Sequence, residues 1–196
     1  MPGVHDQVYR SRRRNFAVVF QQVPRARMNL LPKLSNGLLA IEQRAYLALR
    51  TLADRRLAAR ARRKGESPKP DHLLTGERGE DQAFFHLRSL GYTIVARRWV
   101  SARVRGDLDL VGWDGDTVVV FEVKTRTARD LFPAEVAVNP AKQKQLRRMT
   151  AAWLAQLPAR HRGRVTVRFD VLSVYLVTDT PEFEHMPGAF PYRESS

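Results

Sequence analysis

Length, composition and charge set the first limits on this chain. It has 196 residues, 43% of them hydrophobic, which is enough for one ordinary domain with a real core and an extension. No apolar run approaches the roughly 18 residues of a membrane span. The absence of cysteine excludes disulfides, argues against a structural zinc site and favours the cytoplasm.

The positive charge is concentrated in the first third of the chain. Residues 1–70 contain 16 Lys/Arg and 4 Asp/Glu, whereas residues 71–196 contain 18 and 16, for a net charge of +14 overall. A polyanion such as nucleic acid or an anionic lipid surface is the expected partner of such a segment. The alternative is a solvated basic tail with no specific partner.

Residues 1–70 are predicted to form a basic, partly disordered extension that contains one long helix. Residues 1–34 show no sustained period and carry Arg12-Arg13-Arg14. A helix is predicted over about 38–64, with a basic second half. Gly65 and the Pro-containing segment 67–70 end it, so a domain is predicted over 71–196. The apolar positions that indicate this helix are Leu38, Ile41, Ala45, Leu49 and Leu52.

The domain alternates helical and strand patterns. A helix is predicted over 77–90, closed by Gly91, and a second from Pro140 to about Leu157. Strands are predicted over 92–99, 104–111, 117–125 and 164–177. The order α-β-β-β-α-β indicates an α/β class with a mixed sheet.

The most informative segment is a predicted hairpin. With Asp114-Gly115 as a two-residue turn, Asp109 would face Val120 and Asp107 would face Glu122. Trp113 would likewise face Asp116, and Val111 would face Val118. Because strand side chains alternate, one face would carry Asp107, Asp109, Glu122 and Lys124, and the other an apolar core.

Three carboxylates on one patch repel one another, so a cation is expected there. Lys124 supplies one positive charge, and oxygen ligands of this kind suit Mg²⁺ or Mn²⁺. The alternative is that Asp107 and Asp109 are ordinary solvent-facing residues of an exposed strand. Glu80 lies on the same helical stripe as Ala83 and Phe84, so it is predicted to turn toward this patch. An acid in the first turn of a helix also suits the helix dipole.

These motifs, in this order, resemble the YraN-type family of small bacterial proteins. They cover about 115 residues. The resemblance implies a PD-(D/E)XK, restriction-endonuclease-like fold, similar to archaeal Holliday-junction resolvases and the tRNA-endonuclease-like domain. The matching motifs are Arg78-Gly79-Glu80, Gly91-Tyr92, Gly106-Asp107-Leu108-Asp109-Leu110, Phe121-Glu122-Val123-Lys124-Thr125-Arg126, Lys142-Gln143, Arg168-Phe169-Asp170-Val171, Glu184-His185 and Ala189-Phe190.

The resemblance also implies roles for individual residues. Asp109 and Glu122 would be metal ligands, and Glu80 the first-helix acid of resolvase-like members and a further ligand. Lys124 would hold the attacking water or steady the charge on phosphorus, and Gln143 would approximate a fourth motif. The family commonly has Glu where this chain has Asp107, so no role is carried over to Asp107. Asp170 and His185 are interpreted as structural. Resolvase-like relatives are often dimers, so a homodimer is compatible with the resemblance.

Arginines flank the carboxylate patch and are candidate phosphate contacts, although each one taken singly is more simply a solvated surface charge. They are Arg97, Arg98, Arg103, Arg105, Arg126 and Arg129.

Three functions remain open at this point. The first is a metal-dependent endonuclease acting on DNA or structured nucleic acid, with DNA favoured over RNA. The second is a non-catalytic nucleic-acid-binding module with a vestigial site. The third is an interaction protein whose long helix docks on a partner protein or an anionic membrane.

Overall fold

The computed structural model describes residues 32–128, 138–158, 161 and 165–193. The predictions for residues 1–31, and Arg129, lie outside this part of the chain, and the domain boundary at residue 70 stays a prediction. The elements in chain order are helix α1 (Pro32–Arg63), helix α2 (Asp71–Ser89), strands β1 (Thr93–Val100), β2 (Asp107–Asp114) and β3 (Thr117–Arg126), helix α3 (Pro140–Leu154), and strands β4 (Thr166–Tyr175) and β5 (Glu182–Phe190).

The five strands form one mixed sheet in the order β1-β2-β3-β4-β5. Strands β3 and β4 are parallel, and the other three pairs are antiparallel. A parallel pair needs a crossover, and helix α3 lies within that connection. The α/β class, the mixed sheet and the α-β-β-β-α-β order are therefore confirmed, with a further strand at the C-terminal end.

The β2–β3 hairpin turns one residue later than predicted. The turn residues are Gly115 and Asp116, so Asp114 pairs with Thr117 and Val111 pairs with Val120. Gly115 has φ +57° at the first turn position, as a type II′ turn requires, whereas the prediction placed glycine second. The predicted pairs are wrong by two residues. A shift of two preserves the side-chain alternation, so each residue keeps its predicted face.

The two faces of the sheet are covered by different helices. Helix α2 packs on the face that carries Leu110, Phe121 and Leu172. Side chains of β3 alternate, so Glu122 points away from that face. On the opposite face, Lys142 of α3 contacts Glu122, so the start of α3 lies over that face.

Helix α1 packs along α2 through polar and aromatic contacts. The Gln43 side-chain amide donates to the Gln82 Oε1 atom at 2.8 Å, and the Tyr46 and Phe85 rings meet edge to face at 5.5 Å. None of the helices in the described ranges is long and apolar enough to cross a membrane.

Several predicted boundaries differ from the structure. Helix α2 begins at Asp71, six residues before the expected position 77, because the segment after Pro70 continues as helix through Gly76. Strand β2 begins at Asp107 and not at 104, since residues 102–106 form bends. Strand β5 was not predicted. Pro187 interrupts its pattern, and proline is tolerated there because β5 is an edge strand.

Candidate active site

The centre of the candidate site is a carboxylate pair on β2 and β3. Asp109 lies one residue before the last registered pair of this ladder, Leu110–Phe121. Its Oδ2 atom accepts a hydrogen bond of 2.7 Å from the Val123 backbone amide. Glu122 is adjacent to Val123 and is only 3% exposed. The hairpin thus brings Asp109 and Glu122 together in a poorly solvated position.

Two lysines approach Glu122 from different elements. Lys124 Nζ lies 2.7 Å from Glu122 Oε1, and Lys142 Nζ of α3 lies 3.1 Å from Glu122 Oε2. Helix α3 starts at Pro140, and Asn139 caps it by accepting from the Lys142 backbone amide at 2.9 Å. This cap places Lys142 in the first turn, over the carboxylates. Sequence reasoning assigned no role to Lys142, although the motif match included it.

The pKa values record the crowding of charge. Burial and then the neighbouring Glu122 raise the pKa of Asp109 to about 7, against the stabilising hydrogen bond from Val123. Burial by itself would lower the pKa of Lys142, but Glu122, Asp109 and Asp107 raise it overall. The site therefore holds a carboxylate that resists ionisation beside an ammonium that resists deprotonation.

Glu80 is engaged elsewhere. It forms an ion pair with Arg98 of β1. Burial raises its pKa, with the hydrogen bond and charge of Arg98 opposing that rise and Asp107 and Asp81 adding to it. Glu80 therefore affects the electrostatics of Asp109 while Arg98 holds its carboxylate.

The residues present fit a divalent ion held by two carboxylates. Among the described residues, no three His, Cys, Asp or Glu side chains are grouped closely enough for a metal site of their own. However, Mg²⁺ often uses only one or two carboxylates and takes water and substrate phosphate in its other positions. Within the described part of the chain, the buried Ser173 hydroxyl has no hydrogen-bond partner. Ser173 pairs with Lys124 in the β3–β4 register, so this unsatisfied hydroxyl lies on the same face of the sheet as Glu122.

Gln143 lies near the site but is bonded to its own helix start. Its Nε2 donates to the Val138 carbonyl at 2.8 Å, and its Oε1 accepts from Arg147 at 3.3 Å. The contact from α3 to the carboxylates is made by Lys142.

The candidate phosphate-binding arginines fall into two groups. Arg103 and Arg105 are exposed in the bend that leads into β2, and Arg126 is half-buried at the end of β3. Arg97 and Arg98 instead meet the carboxylates of α2. The structure places the first three beside the strands of the carboxylate pair and the other two in an ion-pair network.

That network surrounds Asp81, which is fully buried and was not singled out from the sequence. Arg97 and Arg98 of β1 contact it, and so do Arg50 at 3.4 Å and the Tyr46 hydroxyl at 3.2 Å from α1. Sequence reasoning assumed one buried stripe on α2, whereas α1 covers a second side. The available signal was the i, i+4 spacing of Asp81 and Phe85, which puts both on one face.

A second buried carboxylate on the sheet has a complete set of partners. Asp170 of β4 accepts from Arg168 Nε at 2.8 Å and Nη2 at 3.0 Å, and from the Gly188 amide at 3.0 Å. His185 Nε2 lies 2.9 Å away. Burial would raise the pKa of Asp170, but the contacts with His185, Arg168 and Gly188 lower it overall. These contacts agree with a structural interpretation of Asp170 and His185.

Comparison with known proteins places the site inside a shared region. A family model described as "Uncharacterised protein family UPF0102" matches residues 79–174. A UPF0102 protein of Koribacter versatilis is 42% identical over 125 residues, which are 64% of this chain and 85% of that protein. A relative from Geobacter sulfurreducens is 38% identical over 130 residues, 64% of this chain and 94% of that protein, and one from Acidothermus cellulolyticus is 40% identical over 124 residues, 59% and 92%.

Proposed function

The chain belongs to the UPF0102 family, and we propose that it is a nucleic-acid-binding, metal-dependent endonuclease that hydrolyses phosphodiester bonds. The observation that carries this proposal is the pair formed by half-buried Asp109 and buried Glu122, with Lys124 and Lys142 both on Glu122. Structural carboxylates have their charge matched by donors. Here the neighbouring charge of Glu122 helps to raise the pKa of Asp109, and perturbed carboxylates of this kind are typical of functional sites.

Asp109 and Glu122 would hold Mg²⁺ or Mn²⁺ from adjacent strands. The bound ion would polarise the scissile phosphate and lower the pKa of a water molecule. The Val123 amide orients Asp109 by its hydrogen bond. Asp109 must be ionised to serve as a ligand, so metal affinity should rise with pH through about 7.

The two lysines would act on the phosphate. Lys124 is 41% exposed on its side chain, so its ammonium can reach a bound strand while it stays near Glu122. A cation at this position stabilises the negative charge that develops on the phosphate oxygens. Lys142 is more buried and pairs with the other Glu122 oxygen. We assign to it the positioning of that carboxylate.

The backbone of the nucleic acid would be bound by exposed arginines. Arg103 and Arg105 precede β2, and the second half of α1 adds Arg60, Arg62 and Arg63 on its exposed surface. Phosphate contacts position a duplex without reading its sequence, so we expect weak sequence dependence. DNA as substrate and a cytoplasmic location are part of this proposal.

The test is cleavage of branched, linear and single-stranded DNA, and of RNA, with Mg²⁺ or Mn²⁺. Asp109→Asn and Glu122→Gln should each lower the rate of cleavage by a factor of about 10² or more, while nucleic-acid binding is retained. Asp116→Asn is the matched control, because Asp116 is an exposed acid of the same hairpin. This variant should cleave as the wild type does. Equal cleavage by all three variants would refute the proposal.

A non-catalytic binding module is the second candidate, and one observation favours it. The third acid, Glu80, is paired with Arg98 and does not join the carboxylate pair. This candidate gives tight, salt-dependent binding with no cleavage by the wild type. Arg60, Arg62 and Arg63 changed together to glutamine should then flatten the slope of log affinity against log salt by about 3. These substitutions are preferable to deleting residues 1–70, because α1 packs on α2.

A further inference from the structure

Helix α1 contacts α2 along one face and carries a second, largely exposed face, with Glu42 at the boundary paired to Arg88 of α2 at 2.8 Å. Its inner face carries Gln43, Tyr46 and Arg50, which contact Gln82, Asp81 and Glu77 of α2. These contacts fix the rotation of α1 about its own axis. The adjoining side of the helix, which carries Ala45 about 100° around from Tyr46, is therefore held exposed.

The outward face is apolar over four turns. Leu38 is 70% exposed, Ile41 65%, Leu49 68% and Leu52 45%, with the exposed Ala45 between them. This outer stripe consists of the same residues whose spacing predicts the helix. A contiguous exposed apolar stripe on a helix is typical of an interaction surface.

The outer stripe is symmetric about Ala45. Leu38 and Leu52 each lie seven residues from it, and Ile41 and Leu49 each lie four residues from it. An interface between two copies related by a two-fold axis must be self-complementary. We propose that two copies of this chain associate through antiparallel α1 helices that cross at Ala45, with Ile41 against Leu49 and Leu38 against Leu52 of the second copy.

Charge favours the antiparallel arrangement. In a parallel pair the basic second halves of the two helices would lie side by side at about 10 Å. In the antiparallel pair, Arg60 is 15 residues from the crossing point on each copy, so the two Arg60 residues are separated by roughly 45 Å at about 1.5 Å per residue. That distance exceeds the screening length in physiological salt. The small side chain of Ala45 allows the two helices to approach closely at the crossing.

The size of the stripe predicts a weak dimer. Burying the exposed parts of four such side chains on each copy removes roughly 800 Å² in total, which is below the size of a standard stable interface. We therefore expect an equilibrium in the micromolar range. Association through α1 does not require nuclease activity, so it can be measured whether or not the chain cleaves nucleic acid.

Cross-linking of single-cysteine variants tests the geometry directly, because the natural chain has no cysteine. Under mild oxidation, Ala45→Cys should form a disulfide-linked dimer. Leu38→Cys and Leu52→Cys should cross-link when mixed but not when alone. Ala40→Cys is the matched control, since Ala40 is exposed but lies about 140° around the helix from Ala45. It should form no disulfide-linked dimer, although the non-covalent association is retained.

Sedimentation measured from about 1 to 100 µM tests the affinity in the range expected for an interface of this size. The full-length chain should pass from monomer to dimer, and Ile41→Glu or Leu49→Glu should weaken association at least tenfold. Leu57→Glu is the control, because Leu57 is 63% exposed on the same helix but off the outer stripe. It should leave the dimer intact.

Three results would overturn the proposal. The first is a chain that is monomeric at every concentration, whether or not its outer stripe binds anionic vesicles. The second is self-cross-linking of Leu38→Cys, which would show a parallel pair. Equal association of Ile41→Glu and Leu57→Glu would place the interface elsewhere.

Discussion

Two buried carboxylate regions on one sheet can be compared, because they lie on neighbouring parts of it and point to opposite faces. Asp170 pairs with Phe121 in the β3–β4 register and so shares the face covered by α2, whereas Glu122 is on the other face with Asp109. Asp170 is surrounded by two N–H donors of the single Arg168 guanidinium, a backbone amide and a histidine. Its pKa is lowered, whereas that of Asp109 is raised to about 7.

The difference teaches which buried acid is structural and which is available for chemistry. Burial opposes ionisation of both Asp109 and Asp170. At Asp170 the contacts with His185, Arg168 and Gly188 overcome that penalty, so the ionised acid stabilises the fold. At Asp109 the second acid, Glu122, adds to the penalty, so the folded state is less stable than it would be without this charge. Retaining such an arrangement is consistent with binding an external cation.

The largest expected effect is the loss of stability when Asp170, the carboxylate with a complete set of partners, is removed. Asp170→Ala leaves Arg168, His185 and the Gly188 amide without their shared acceptor. Removing one partner of a buried ion pair costs about 3–5 kcal/mol, and we expect the lower end of that range because Arg168 is 28% exposed and keeps its contact with Asp114. Denaturant unfolding at pH 7 should show this loss. Asp114→Ala is the control. It removes another carboxylate that contacts Arg168, but this one is half exposed, so a loss of less than about 1 kcal/mol is expected. Similar losses in the two variants would contradict the structural interpretation.

The next effect is a dependence on pH that has opposite signs in the two regions. The folded-state pKa of Asp109 lies above its unfolded value, so without metal its contribution to stability falls as pH rises from about 4 through 7. The difference between 3.8 and about 7 corresponds to an upper bound of roughly 4 kcal/mol, and we expect about half of that because Asp109 is partly exposed and solvent screens the charge. Asp170, with its lowered pKa, contributes stability above its unfolded pKa and loses it as pH falls through its folded value.

Unfolding measured in chelator from pH 4 to 8 tests this difference. Asp109→Asn should remove the decline that Asp109 causes between pH 4 and 7, and Asp116→Asn should retain it. Added Mg²⁺ should stabilise the wild type more at pH 8 than at pH 5, because protons compete with the metal. An identical pH profile for wild type and Asp109→Asn would mean that the pair is not electrostatically coupled.

The smallest effect concerns the arginine that separates Glu80 from the pair. Arg98 has φ +46°, a backbone conformation that favours glycine. Arg98→Ala and Arg98→Gly both lose the ion pair with Glu80, yet the glycine variant should be more stable by about 1 kcal/mol. At Arg97, whose φ is not positive, the order should reverse, with glycine less stable than alanine by about 0.5–1 kcal/mol. Thermal unfolding of the four variants tests the expectation, and a common order at both positions would contradict it.

Local signals predicted much of the fold. Gly91 has φ +96° just after α2, and Pro140 opens α3 as expected. The alternation of residues 107–111 and 118–124 predicted the face of each carboxylate, and this result survived a register error of two residues because alternation has a period of two. The register itself depended on which turn position Gly115 takes, and Asp-Gly is compatible with more than one turn.

The partners of charged residues could not be predicted in the same way. Arg97 and Arg98 were candidates for phosphate contact because they flank the patch in sequence, yet both meet Asp81 across 16 and 17 residues of chain. Asp81 was missed because α2 is covered on two sides, by the sheet and by α1. Strand β5 was missed because an edge strand tolerates Pro187 and a weak pattern.

The sequence by itself determined the α/β class, the order of the elements before β5 and the face on which Asp109, Glu122 and Lys124 lie, because periodicity and turn chemistry are local properties. Only the tertiary structure decided that Lys142 joins Glu122, that Arg98 takes Glu80 from the pair, and that the stripe from Leu38 to Leu52 faces outward. The physical reason is that ion pairing and burial depend on which elements meet in space. A helical period shows that a face is apolar but not what covers it.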